Sequence, residues 1–456
     1  DDPFVYFYTL IQFLILKTKG NKKLKVNVIT MGCAKNLVDS EVLITQLKGN
    51  KIDAFHEAHG INPDVVVINT CGFIDNAKQE SIDTILRFAD AKESGEISKL
   101  YITGCLSERY KTDLEKEIPQ VDAFFGTREL PALLKRFNAD YKQELVGERL
   151  ITTAQHYAYM KISEGCDRPC SFCAIPLMRG KHISRSIEEL VKEAKNHAKN
   201  GVKELLLIAQ DSTYYGLDIY KSRKLADLLK HLSDVNGIDW IRLHYAFPSG
   251  FPEDVLRVIR DRENICNYID MPLQHASSKV LKLMKRGIDR EGSERLISKI
   301  RNKVPGIAIR TTMMVGHPGE TPREFDKLLD FIQKMKFERM GVFTYSHEEN
   351  TASYQLKDTI SSKEKKRRAD VLMQLQEEIS QNFNNSLIGK SLKVLIDRKE
   401  NNYYIGRTEY DSPEVDNEVI IDASKNYLRL GDFAKIRIND ALPFDLIGDP
   451  VNNSTF

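Results

Sequence analysis

Hydrophobic positions along this chain fall into three successive regimes. Between about residues 23 and 148, short β-branched runs (Val26 to Thr30, Val65 to Asn69, Leu100 to Thr103) alternate with amphipathic stretches at helical spacing, Leu37 to Leu47 and Ser81 to Ala89. Unbroken apolar runs mark strands buried on both faces, and their alternation with helices predicts βαβ units and an open parallel sheet. Between 149 and 386 come six strand-like runs: Tyr157 to Ile162, Glu204 to Ala209, Trp240 to Tyr245, Tyr268 to Met271, Ala308 to Val315 and Gly341 to Tyr345. Helical patterns such as Ile187 to Ala198 and Arg323 to Met335 separate them, which predicts a partial (β/α)6 barrel with its chemistry on the loops leaving the carboxyl ends of the strands. A long helical pattern, Lys363 to Phe383, leads into residues 387–456. There short runs (Leu392 to Ile396, Tyr403 to Ile405, Val419 to Ile421, Phe433 to Ile438) are separated by turn residues alone, as in a small antiparallel β-barrel. The fold class is α/β, in three domains.

Composition narrows the function. The 67 Lys plus Arg against 65 Asp plus Glu leave no overall field toward nucleic acid or an anionic membrane, so any such contact is local. The apolar stretch Phe4 to Leu16 is shorter than the roughly 20 residues that cross a bilayer, and Asp1 and Asp2 stand where a secretory signal carries positive charge. Residues 1–22 therefore read as a non-native or mis-started extension. Seven cysteines in 456 residues argue against a disulfide framework and for a reducing compartment, the cytoplasm, where thiolates serve as ligands or nucleophiles.

Six of those cysteines form two trios. GCDRPCSFC, just after the first barrel strand, spaces Cys166, Cys170 and Cys173 as C-x3-C-x2-C. Three thiolates on one tight loop suit three irons of a [4Fe–4S] cube and leave the fourth open for a small molecule. The alternative is zinc, which needs a fourth ligand; the nearest later histidine is His182, and the cysteine spacing is unusual for zinc. Upstream, Cys33, Cys71 and Cys105 each follow a strand and each neighbours a glycine: Gly32, Gly72 and Gly104. Loops leaving the carboxyl ends of a parallel sheet converge on one crevice, so these three can meet at a second cluster; buried core cysteines are the plainer reading. Cys266 is left over, in a helix-to-strand connection, as a core residue.

The C-x3-C-x2-C loop after strand one of a six-strand barrel resembles the radical SAM superfamily, whose cofactor is S-adenosylmethionine (SAM). Two trios followed by a small β-domain are similar to the methylthiotransferase family, over about Lys23 to Asp449. The segments that carry this are MGCAKNLVDSE, INTCGFIDNAKQESID, ITGCLSERY, ISEGCDRPCSFCAIPLMRGKHISR, MPLQHAS and MVGHPGET. The resemblance implies a methylthiotransferase domain, a radical SAM core and a TRAM-like domain, with two [4Fe–4S] clusters. The activity it implies is insertion of sulfur into an unactivated C–H bond together with methylation, SAM serving as radical source and methyl donor. A sulfur source and an electron donor are then required. A scarcity of acid–base motifs agrees, because such a C–H bond is not acidic and no side-chain base removes its proton.

Other residues carry weaker signals. Gln210 and Asp211, at a strand end, suit SAM's ribose or amino acid groups, or a capped turn. Arg310 suits SAM's carboxylate, a pairing guanidinium makes bidentately. The resemblance gives Gly316, with Pro318 and Gly319, a loop around the adenine, though His317 stands where relatives carry an aromatic ring. Gln274 and His275 end the fourth strand, His275 in a structural or substrate-facing role. The run Lys363 to Arg368 reads as a solvated helix face in preference to an RNA contact.

The family holds members that modify tRNA and members that modify an aspartate of the small subunit's twelfth ribosomal protein. From Leu387 onward there are nine Lys and Arg against twelve Asp and Glu, so the last domain lacks the basic footprint of an RNA binder. Glu409, Asp411, Glu414, Asp416 and Glu418 form an acidic run, suited to a basic ribosomal protein or simply solubilising. FCAIPLMRG and GRTEYDSPEVDNEV are similar to the ribosomal-protein branch. A methylthio group on the β-carbon of that aspartate is the expected product, RNA contact being secondary. A tRNA methylthiotransferase and a non-enzymatic iron–sulfur carrier are the alternatives.

Overall fold

The structure, a computed structural model, describes residues 23–451; the reading of residues 1–22 as an extension lies outside them. Three layers of sheet organise the chain. The first is five parallel strands, β1 (Lys25–Thr30), β2 (Asp53–His56), β3 (Val65–Thr70), β4 (Lys99–Gly104) and β5 (Ala123–Phe124), in the order β2-β1-β3-β4-β5. β3 is buried along its whole length, which is why its sequence shows no alternation. The sequence pattern misses β2 and β5, short strands at the sheet edges with too few apolar positions to show a period.

The second sheet is the partial barrel: β6 (Tyr157–Lys161), β9 (Glu204–Ile208), β10 (Trp240–Leu243), β11 (Ile265–Asp270), β12 (Ala308–Val315) and β13 (Arg339–Thr344), all parallel in the order β13-β12-β11-β10-β9-β6. A small ribbon, β7 (Ser163–Glu164) with β8 (Ile183–Ser184), brackets the cysteine loop. Alternate residues divide the two faces with period two. Leu205, Leu207, Ile241, Leu243, Ile269 and Ile309 face out into the large apolar core beneath the helices. Tyr157, Tyr159, Glu204, Arg242, Tyr268 and Arg310 occupy the alternate positions and meet the C-terminal domain. Cys266 is a buried residue inside β11, packed with Trp240, Tyr268 and Leu395, and not in the preceding connection.

The third unit is a closed barrel of β14 (Ser391–Glu400), β15 (Tyr403–Arg407), β16 (Glu418–Asp422), β17 (Phe433–Ala441) and β18 (Asp445–Pro450). It is antiparallel except where β16 and β18 run parallel, a pairing hidden in the sequence because β18, DLIGDP, carries Gly and Pro. Helix Ser362–Asn385 joins it to the partial barrel, started by Ser361, whose hydroxyl accepts from the Glu364 N–H. Its basic run is a solvated face in part: Lys363, Lys366 and Arg367 are exposed, while Lys365 and Arg368 are buried, paired with Asp358 at 2.6 Å and Glu320 at 3.0 Å.

The loop between β15 and β16 plugs the inner face of the partial barrel, and this overturns the reading of its acidic run as a docking surface. Asp411 pairs with Arg339 at 2.6 Å, and Asp416 with Arg310 at 3.1 Å and with the Tyr268 hydroxyl at 2.8 Å. Glu409 accepts from the Asn267 N–H at 3.0 Å, Glu414 from the hydroxyls of Tyr157 and Tyr159, and Glu418 holds Arg398 at 2.7 Å. Asp411 and Asp416 answer inward-facing arginines that no local pattern reveals, whereas Glu414 is exposed and Glu418 pairs with the half-exposed Arg398. Among the described residues no helix is long and apolar enough to cross a membrane.

Candidate functional site

The two trios lie at the carboxyl ends of two parallel sheets that face each other. Cys33 and Cys71 leave β1 and β3, and Cys105 opens helix Cys105–Glu117 directly after β4. Close backbone approach depends on glycine here. Gly104 has φ +101°, and a Cβ on it would run into the Thr70 carbonyl; a Cβ on Gly32, at φ +90°, would lie 2.8 Å from Cys71 Sγ. Ser81 fixes the Cys71 loop through two 3.0 Å hydrogen bonds, accepting from its N–H and donating to its carbonyl. Cys105 and Met178 form one buried cluster with Ala174, the residue after Cys173, so the two loops touch.

Electrostatics distinguish the thiols. Burial pushes Cys105 up to about 11 and also raises Cys71. Cys33 is the exposed member of this trio; desolvation by its surroundings raises the pKa, but Lys35, the Asn36 backbone N–H and Arg179 outweigh it, so this thiol is lowered. Arg179, buried and charged, is the hub between the domains: it pairs with Asp39 at 2.8 Å and Glu164 at 3.0 Å and donates to the Asn36 side chain. Lys35 lies over the Tyr245 ring at 3.4 Å. In the barrel trio, burial raises Cys166 to about 11 and Cys173 to about 12. Such thiols become ligands only when a metal supplies the charge that holds them deprotonated. Phe172, Val280, Met284 and Tyr345 wall Cys170 and Cys173 against water.

The remaining sequence-predicted residues divide. Gln210 comes to the site: its Nε2 donates to Glu164 at 3.1 Å while its buried Oε1 has no partner. Asp211 takes the role of a cap, accepting from the Thr213 N–H at 2.8 Å, and pairs at 2.6 Å with Arg168 from the cysteine loop. Arg310 is engaged elsewhere than expected, its guanidinium held by Asp270 at 3.0 Å and Asp416 at 3.1 Å, fastening the C-terminal domain. Gly316, at φ +83°, donates its N–H to Glu320 and packs against Lys365, so helix Ser362–Asn385 braces this loop. Gln274 bridges to β12 at Met313, with φ +75°. His275 accepts from the Ser277 N–H at 2.9 Å, leaving its buried Nε2 unpartnered, and His317 lies between Pro318 and Ser353. Sequence reasoning missed Arg179, Arg286 and the Arg168–Asp211 pair. Arg168, inside the C-x3-C segment, and Arg179, inside FCAIPLMRG, had a signal that could have found them; Arg286 had none.

Among the described residues no three His, Cys, Asp or Glu side chains stand grouped as a preformed metal site, and the match of the barrel trio to an anionic cluster rests on its donor chemistry and on Arg286. Arg286 is 5% exposed and has no carboxylate within 4.0 Å among the described residues; its Nη1 donates to Cys170 Sγ at 3.3 Å. A buried cation requires a counter-charge, and a cluster of thiolates provides one. Across the sheets, the glycine-lined crevice of Cys33, Cys71 and Cys105, with Arg179 and Lys35 beside it, offers the same donor set.

Comparison with known proteins agrees. Residues 160–332 match the radical SAM superfamily, 25–126 the uncharacterized protein family UPF0004 and 388–451 the TRAM domain. Among solved structures, the cobalamin-dependent S-adenosylmethionine radical enzyme OxsB superposes with TM-score 0.52 at 12% identity, covering 73% of this chain and 54% of that one. The radical S-adenosylmethionine methyltransferase TsrM from Kitasatospora setae gives 0.50 at 15%, over 71% and 75%. At such identities these two share the fold alone. Fold and site together define a radical SAM protein.

Whole-chain relatives narrow this further. A ribosomal protein uS12 methylthiotransferase RimO from Cytophaga hutchinsonii is 66% identical over 96% of this chain and 100% of its own length. Namesakes from Flavobacterium psychrophilum and Christiangramia forsetii are 59% and 57% identical, over 95% and 96% of this chain and 100% and 97% of theirs. The chain belongs to their family, the radical SAM methylthiotransferases, whose cofactors are SAM and [4Fe–4S] clusters.

Proposed function

We propose that this chain places a methylthio group on ribosomal protein uS12, at the β-carbon of an aspartate. The observation that carries this reading is the meeting of two three-cysteine loops at the carboxyl ends of two facing sheets, Cys105 packed on Ala174 and Met178. Relatives that carry the uS12 methylthiotransferase name over their full length support the substrate.

Cys166, Cys170 and Cys173 would hold the radical-generating cluster, and Cys33, Cys71 and Cys105 a second one that would supply the sulfur. When bound, SAM and the reduced cluster supply the carbon radical that an unactivated C–H bond demands. The rest is done by this chain. Asp211 orients the cysteine loop through Arg168, and Gln210 Oε1 offers an acceptor to SAM's amino or hydroxyl groups. The turn at Gly316 bounds the site. Neither His275 nor His317 is poised for proton transfer: burial depresses His275 to about 3 and His317 to about 4, so both stay neutral. A sulfur source and an electron donor complete the requirement, and a reaction on a ribosomal protein puts the chain in the cytoplasm. RNA contact stays secondary; one exposed loop carries Lys425, Tyr427 and Arg429, with Lys425 and Arg429 already facing Asp422 at 3.3 Å and Asp432 at 3.9 Å.

The deciding experiment is mass spectrometry of ribosomal proteins with and without this gene. One methylthio increment on uS12 is expected, and its appearance on tRNA instead would transfer the assignment to the tRNA branch. In vitro, Cys170→Ala should abolish deoxyadenosine formation, while Cys71→Ala leaves SAM cleavage partly intact and stops methylthiolation. Equal loss in both folded variants would refute the division of labour.

A further inference from the structure

Two guanidinium groups approach the face of Phe247 near the barrel trio. Arg168 lies 4.0 Å and Arg286 4.1 Å from the ring centroid. Their charges are not equivalent. Arg168 is cancelled by Asp211 at 2.6 Å and is further tied to the Thr213 hydroxyl at 3.2 Å. Arg286 is buried without a carboxylate partner among the described residues: Nη2 donates to the Pro272 carbonyl, Nε has no partner, and Nη1 points at Cys170 Sγ, 3.3 Å away. An aromatic face and one carbonyl do not neutralise a desolvated cation. The full positive charge is therefore directed at the trio.

We propose that Arg286 is a positioning residue that sets the reduction potential of the iron–sulfur group held by Cys166, Cys170 and Cys173; this rests on the ligand assignment made above. Cluster potentials follow net charge, hydrogen bonds to sulfur and solvent exposure. Arg286 acts on all three: it adds a buried positive charge, donates N–H to a ligand sulfur, and with Phe247 closes that side to water. The charge and the hydrogen bond favour the reduced state, which carries one more negative charge, and they act against the exclusion of water, which by itself disfavours it. A role of this kind matters to a reaction that begins with one electron passing to the cluster. Helix Ser278–Leu283 and the turn after it hold the side chain, the Arg286 N–H donating to the Leu281 carbonyl at 3.0 Å.

The test is an EPR-monitored redox titration of the full chain, reconstituted anaerobically, with iron analysis, following the signal that changes on adding SAM. In Arg286→Met the reduced fraction at a fixed potential should fall about tenfold, a downward midpoint shift of about 59 mV for one electron. Arg286→Lys keeps the charge but loses the fork, and should shift the same way by about threefold. Arg286→Met with full iron and an unmoved midpoint overturns the role of Arg286 alone. If that variant does not retain iron, Arg286→Lys decides: a midpoint equal to the parent's overturns the proposal. A parent that holds iron but shows no SAM-sensitive signal counts against the ligand assignment, and with it this proposal.

Discussion

Replacing Arg407 by methionine removes one cation from the charge cluster between the partial barrel and the C-terminal domain, while keeping most of the side chain's volume. Arg407 Nη2 holds Glu204 at 2.8 Å and its Nε holds Asp397 at 2.6 Å; Glu204 also takes Arg242 at 2.8 Å, and Asp397 takes His156 at 2.8 Å. Arg407, Glu204 and Arg242 are all at most 1% exposed, so solvent does little to screen the charges left behind. Removing one partner of a buried pair typically costs 3–5 kcal/mol. Because each carboxylate keeps a second partner, the cost expected for Arg407→Met is about 3 kcal/mol, at the lower end of that range. Glu204→Gln should cost a similar amount, and the double variant less than the sum by about 1–3 kcal/mol, since the second change removes the charge the first one orphans. The assay is equilibrium urea unfolding of the apo protein followed by tryptophan fluorescence. The chain's single tryptophan, Trp240, packs 4.8 Å from Phe433 across this interface. The folded-state pKa values of Glu204 and Asp397 are lowered: burial raises each, but Arg407 and the other partners outweigh it. Their stabilisation is thus present above the ordinary carboxylate range and lost as pH falls through the depressed values. A penalty below about 1 kcal/mol for Arg407→Met, with single changes that simply add, would refute the reasoning.

Further outcomes follow from the same geometry. Gly104→Ala places a Cβ against the Thr70 carbonyl at φ +101°, so iron bound per reconstituted chain should drop from about eight to about four with the SAM-sensitive signal retained; unchanged iron would show that this crevice tolerates a methyl group. His275 and His317 are depressed to about 3 and 4 by burial, against an ordinary 6.5. Their contribution is complete above pH 6.5 and declines as pH falls toward 5, by up to about 1.4 kcal/mol per pH unit for each. His317→Gln should flatten the dependence of the urea midpoint on pH in that window, and a slope equal to the parent's would count against a neutral buried imidazole. Asp211→Asn weakens the hold on Arg168; SAM affinity measured by calorimetry should fall several-fold while iron content persists, and loss of iron with SAM affinity intact would contradict the loop-orienting role.

Residue order alone determined the three-regime architecture and was enough to propose both cysteine trios. Strands buried on both faces read as unbroken apolar runs, and cysteines at equivalent strand ends converge whatever their separation, because a parallel sheet brings its carboxyl ends to one edge. Spacing within GCDRPCSFC was enough to indicate the cluster chemistry. Tertiary structure alone decided what the charged residues do. Arg310 and the acidic run from Glu409 to Glu418 looked like a cofactor ligand and a docking surface, yet Arg310 meets Asp416 across more than a hundred residues of chain, and Asp411 and Glu409 are taken up by Arg339 and the Asn267 N–H. Arg286 carries no sequence signal, since its significance is the absence of a nearby carboxylate and the presence of Cys170 Sγ. Secondary structure is set by periodicity over a few residues, which a sequence displays directly. A buried charge takes its meaning from whichever partner the fold delivers within about 4 Å, and that distance does not exist until the chain has folded.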